Sequence, residues 1–125
     1  MTALALASRP AAGDVLSKAT VRTAQLLELN GAALGQVIGL SEASVSRLVN
    51  GARALDPQAK EGQLAALLIR VYRSLDALVG NDDAKRRAWM NSYNRALNAV
   101  PRDALRTPDG LVRVVNYLDG ARAKA

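Results

Sequence analysis

A chain of 125 residues with a net charge of +6, half of them hydrophobic and 22% charged, has room for one ordinary core or two small helical ones sharing a helix. It holds no cysteine and no histidine, which excludes disulfides, thiolate metal sites, cysteine nucleophiles and imidazole bases, so neither cofactor nor metal is expected and the cytoplasm is the natural compartment. Its apolar residues are mainly Ala, Leu and Val with no Phe, a mixture that favours an all-α fold. The opening Met1 to Pro10 has no basic flank before its short apolar run, and the apolar stretch 64–69 is halted by Arg70, so neither export nor membrane insertion is expected.

Residues 1–13, Ala-rich with Pro10 and Gly13, read as a loose leader. A first helix is predicted from Asp14 to Leu29, with Asn30-Gly31 as its stop signal. A short helix over 32–38 breaks at Gly39, and Ser41 is a fitting N-cap for the next, which runs to Val49 and ends at Asn50-Gly51. Asp56 and Pro57 then open a long helix that Gly80 terminates, with Gly62 weakening its start. Leu64, Leu67, Leu68, Val71, Leu75 and Leu78 form one apolar stripe on that helix, and Ala65, Ile69 and Tyr72 a second. A helix apolar on two sides links two halves or forms a dimer seam, and Leu64, Leu68, Ile69 and Tyr72 are the expected dimerisation residues. Asp82 and Asp83 open a further helix carrying Trp89, better explained by the helix dipole than by a metal. A connecting turn over 94–101 and a short turn over 102–105 follow, and a last helix has Thr107 as cap, Pro108 in its first turn and Gly120 as its stop. The expected division is a leader over 1–13, a DNA-binding unit over 14–61, a linking helix over 62–80 and a partner-binding unit with a basic tail over 81–125.

The most specific motif is LGQVIGLSEASVSRLVNG, residues 34–51. Leu34 and Ile38 provide an inner face, Gly35 is small enough for a close crossing, Gly39 suits a tight corner, and Leu40, Val45 and Leu48 complete the wedge. The stretch resembles the helix-turn-helix of Xre and phage repressors. That resemblance implies that Glu42, Ala43, Ser44, Ser46 and Arg47 face the major groove of operator DNA, with Ser41 and Arg53 near phosphates. Gly31 stands where that family usually places a polar phosphate-binding residue, and Glu42 brings a carboxylate able to accept from cytosine N4.

Residues 86–118 resemble the toxin-binding domain of the MbcA/ParS/Xre antitoxins through Trp89, Asn94, Leu97, Pro101, Leu105, Thr107, Gly110, Val114 and Leu118. Asn98-Ala99 replaces a turn that is commonly glycine-rich in relatives. The resemblance implies an antitoxin whose partner carries a RES domain that degrades NAD, or less often transfers ADP-ribose, and whose active site the antitoxin occludes. On this footing the toxin-binding residues are Trp89, Asn94, Leu97, Pro101, Thr107, Gly110, Arg113, Tyr117, Arg122 and Lys124. A cleft shaped for a dinucleotide pyrophosphate attracts cations, so Arg122 and Lys124 act as a decoy, or else form a frayed solvated tail.

Charge is uneven: residues 1–61 carry +1 and residues 62–125 carry +5. With so little excess in the DNA-binding half, a homodimer is expected for operator binding, because affinity follows the number of phosphates neutralised. Lys85, Arg86 and Arg87 read as a solvated charge run. The alternatives are a stand-alone phage-type repressor with no protein client, and a small enzyme, which the lack of His, Cys and an evident carboxylate pair disfavours.

Overall fold

The computed structural model describes residues 11–124, which form seven helices and no strand: α1 (Ala12–Leu26), α2 (Gly31–Ile38), α3 (Glu42–Val49), α4 (Lys60–Val79), α5 (Asp83–Asn91), α6 (Pro101–Ala104) and α7 (Pro108–Lys124). Residues 1–10 of the expected leader and Ala125 of the expected tail lie outside the described residues. Residues 12 and 13 belong to α1 rather than to a leader.

The sequence pattern of α4 explains its place at the centre. Its two apolar stripes put Ala65, Leu68, Val71 and Leu75 at 0% exposure. One side packs most extensively against α7, the other against α1 and α2, with α5 across its end. Leu111, Val114 and Leu118 are the matching inner face of α7, and Leu34, Val37 and Ile38 that of α2. The apolar residues therefore form one continuous core from Ala24 to Leu118, not two cores joined by a bridge. At about 25 cal/mol per Å² of apolar surface, each fully buried Leu here contributes about 1.5–3 kcal/mol.

Four further helix boundaries depart from the sequence pattern, each for a local reason. α1 stops at Leu26 because Glu28 takes a left-handed conformation (φ 57°) and the Leu29 amide turns back to the Ala24 carbonyl at 2.8 Å. Asn30 then starts a helix instead of ending one, its side chain accepting from the Ala33 amide at 2.8 Å. The long helix begins at Lys60, since Asp56 folds residues 56–59 into a turn: its carboxylate accepts from the Gln58 amide at 2.9 Å and its carbonyl from the Ala59 amide at 3.1 Å. That carbonyl lies over Gly62, where a Cβ would sit 1.9 Å from the oxygen, so Gly62 accommodates the turn. Gly120 does not stop α7, which continues to Lys124; the glycine meets no neighbour and lacks the left-handed φ of Gly80.

α4 and α7 are also joined by charge. Asp119 accepts from Ser74 Oγ at 2.8 Å and pairs with Arg70. The Ser74 hydrogen bond, then the Arg70 guanidinium, holds its carboxyl below the usual range. A carboxylate with a depressed folded-state pKa adds stability that is complete above its unfolded value and disappears as the pH falls through the lowered one. Urea midpoints taken from pH 6 downward should therefore fall less steeply for Asp119→Asn than for the wild type. Parallel acid limbs would rule this linkage out.

Candidate DNA and partner-protein surfaces

The corner between α2 and α3 shows why residues 34–51 fold as they do. Gly39 is left-handed (φ 80°), and the amides of Gly39 and Leu40 both reach the Gly35 carbonyl, at 2.8 and 2.9 Å. A Cβ on Gly35 would lie 2.4 Å from the Leu40 carbonyl oxygen, so the close approach it permits is to the turn itself. Leu34, Ile38, Val45 and Leu48 are buried in the wedge, and Ser41 Oγ caps α3 by accepting from the Ser44 amide at 3.1 Å.

Of the residues expected to meet DNA, Ser41, Glu42, Ala43, Ser46 and Arg47 are exposed. Ser44 is turned inward at 9% exposure, and its hydroxyl accepts from Arg47 Nη2 and Ser41 Oγ, both at 3.1 Å. It steers the Arg47 side chain and offers little surface itself. Arg53 is half-buried, faces Glu61 at 3.7 Å and has a buried Nε without an acceptor. Val49, 54% exposed, and Asn50 share the outer side of α3. Helical spacing from Glu42 and Ser46 was the available signal for both. Beside them α1 walls a groove of about 630 Å³ that ends at Asn50, Gly51 and Arg53.

In the C-terminal half, Trp89 and Tyr117 stack with ring centroids 6.3 Å apart and planes at 22°, each half-buried. Leu97, Pro101 and Gly110 are buried, so they shape the surface from beneath. Asn94 opens the connecting turn: its side chain accepts from the Leu97 amide at 3.1 Å, and its backbone pairs with Ala99. Asn98 adopts φ 53° within that turn and so takes the conformation a glycine would otherwise supply. Thr107 caps α7 by accepting from the Gly110 amide at 3.2 Å. Arg113 is exposed yet donates to the Leu97 carbonyl. Tyr93, 59% exposed, and Val112, 42% exposed, are further surface groups that apolar periodicity does not single out. Arg122 and Lys124 are exposed on the last turn of α7.

The expected dimer seam is largely occupied within the single chain. Leu68 is 0% and Ile69 9% exposed, leaving only the half-buried Leu64 and Tyr72 with surface. Tyr72 also lies under the Arg86 guanidinium, 5.3 Å from the ring centroid. Of the run 85–87, Lys85 and Arg87 are exposed as a solvated face requires, and Arg86 is not. The Arg86 side chain is 4% exposed and forks to Asp76 at 2.9 Å and Asp83 at 2.7 Å. Its hydrogen bond to Asp76 raises its pKa above the ordinary value, against the cost of burial. Arg87 pairs with Glu28 at 2.8 Å. Arg102 completes this junction, donating to the Leu27 and Glu28 carbonyls at 3.0 and 3.1 Å and to Asn91 Oδ1 at 2.8 Å. The carbonyls left open where α1 ends are thus capped from α6, which ties the two halves together.

An exposed recognition helix on a wedge of α2 and α3, followed by a capped helical unit fused to it through α4, defines a two-part helix-turn-helix binding protein. Residues 7–70 match the antitoxin Xre-like helix-turn-helix domain, and residues 74–124 match the antitoxin Xre/MbcA/ParS C-terminal toxin-binding domain. The chain belongs to this antitoxin family. No curated protein matches the sequence. Both domains are binding modules without enzymatic chemistry. Among the described residues no helix is long and apolar enough to cross a membrane, and Asp82, considered for a metal, instead caps α5 through the Lys85 amide at 2.9 Å.

Proposed function

We propose that the chain is the cytoplasmic antitoxin of a two-gene system, blocking an NAD-degrading RES-type toxin with its C-terminal half and repressing its own operon as a homodimer on operator DNA. The observation that carries this reading is the succession, in one chain, of the helix-turn-helix and toxin-binding family matches. Residues 14–61 are the DNA-binding unit, 62–80 the linking helix and 81–125 the toxin-binding unit. Glu42, Ala43, Ser46 and Arg47 read base edges, and Ser41 and Arg53 approach phosphates. Ser44 acts through Arg47, to which it is hydrogen-bonded.

Thr107, Arg113, Tyr117 and the edge of Trp89 meet the toxin over the support of Asn94, Leu97, Pro101 and Gly110. Arg122 and Lys124 enter its pyrophosphate cleft. Leu64 and Tyr72 are the part of the seam still open to a second copy. Coexpression with the neighbouring gene's product should yield a copurifying complex that spares NAD, and deleting residues 120–125 should restore NAD loss without releasing the partner. A labelled duplex from the gene's own upstream region should shift at protein concentrations that leave random DNA free. No complex, or equal binding to both duplexes, would refute the corresponding half of the reading.

A further inference from the structure

The helix-turn-helix is poor in free positive charge. Gly31 offers no side chain to a phosphate, Arg47 is hydrogen-bonded to Ser44, and Arg53 faces Glu61. Two cations that the motif does not include lie alongside. Lys18 and Arg22, one turn apart on α1, are exposed and line the 630 Å³ groove together with Asn50, Gly51 and Arg53. Like charges spaced i, i+4 repel, and among the described residues neither makes an ion pair that would offset this. At the same groove the buried Arg53 Nε has no acceptor. Asp14, the groove's one anion, stands one turn before Lys18 in the first turn of α1 and forms no ion pair with it among the described residues.

We infer that this groove seats the phosphodiester backbone of the strand flanking the major groove that α3 enters, with Lys18 and Arg22 as its phosphate contacts and Arg53 turning its unsatisfied Nε toward the same strand. The placement follows from the groove walls. Val49, Asn50 and Gly51 close the C-terminal end of α3, and a helix lying in a major groove about 12 Å wide has a backbone strand along its side. Lys18 and Arg22 are about 6 Å apart along α1, so they serve neighbouring phosphates. The contact carries no sequence information; it supplies the electrostatic share that the motif lacks.

The inference rests on the DNA-binding reading above, and the test separates the two. Binding to the upstream duplex and to a random duplex is followed by fluorescence anisotropy between about 50 and 200 mM salt for the wild type, Lys18→Gln/Arg22→Gln, and Arg73→Gln, an exposed arginine that does not line the groove. The double variant should weaken binding to both duplexes alike and flatten the plot of log affinity against log salt by about 2 per bound subunit. Arg73→Gln should leave it unchanged, and all three should melt together. An unchanged slope with DNA-binding wild type overturns the phosphate seat alone, as does weakening confined to the upstream duplex. A wild type that binds neither duplex overturns both readings.

Discussion

Gly110→Ala should cost the protein about 2–4 kcal/mol, while the same substitution at Gly120 in the same helix should leave it unharmed or slightly more stable. Both glycines lie within α7, and neither has a positive φ, so backbone strain does not separate them. Space does. A Cβ on Gly110 would lie 2.0 Å from the Ala104 carbonyl oxygen and 2.9 Å from Thr107 Oγ1. The carbonyl cannot move without displacing α6, whose flanks Pro101 and Leu105 are buried. The hydroxyl cannot move without leaving the Gly110 amide it caps. Overpacking of about 1–3 kcal/mol and loss of a cap at about 1 kcal/mol therefore add. Gly120 meets nothing within 4 Å, and alanine there gains up to about 0.5–1 kcal/mol of helix propensity. Urea midpoints of the two variants measure the contrast, and equal midpoints would show that α6 and α7 do not approach as closely as described. Because Thr107 caps α7 and Arg113 stands on it, and both are proposed to meet the toxin, Gly110→Ala should also lose toxin copurification.

The elements legible in the sequence were those in which one residue has one reason to be where it is. Gly39 and Ser41 fix the corner of the helix-turn-helix, and Asp82, Thr107 and Pro108 start their helices where capping chemistry places them. Residues with two possible roles were misread. Asn30 can end a helix or cap one, and only the left-handed Glu28 before it decides. Asp56 and Pro57 make a respectable helix start, but the fold needed their turn to close over Gly62. Ser44 lies on the recognition helix by sequence and inside the wedge by phase. Least legible were the long-range polar contacts. Arg86 reaching Asp76 and Tyr72, and Arg102 on the carbonyls of Leu27 and Glu28, join residues too far apart for any local pattern to signal; only the i, i+3 pair of Arg86 with Asp83 is local.

Leu68→Ala should lower stability by about 3 kcal/mol, within the 2–5 kcal/mol range for emptying a buried leucine site, and should do so as a core residue and not as part of a dimer seam. Leu68 is 0% exposed at the middle of α4, the helix that packs on both α7 and α1. The substitution removes three heavy atoms from the core and leaves a cavity that helices held by Arg102 and Asp119 cannot readily collapse. A seam residue would behave differently: its loss would shift the unfolding midpoint most in concentrated protein and hardly at all in dilute protein, where wild type and variant are both dissociated. The Leu68→Ala shift should be the same at every protein concentration. The core is continuous from Ala24 to Leu118, so the loss should also be shared. Trp89 is the only tryptophan and reports on the C-terminal half, whereas far-ultraviolet ellipticity reports on all helices. The two signals should fall at one urea concentration in the wild type and at one lower concentration in the variant. If Trp89 kept its wild-type midpoint while part of the helical signal fell early, α4 would be joining two separable cores, and toxin and operator would be held by halves that yield independently.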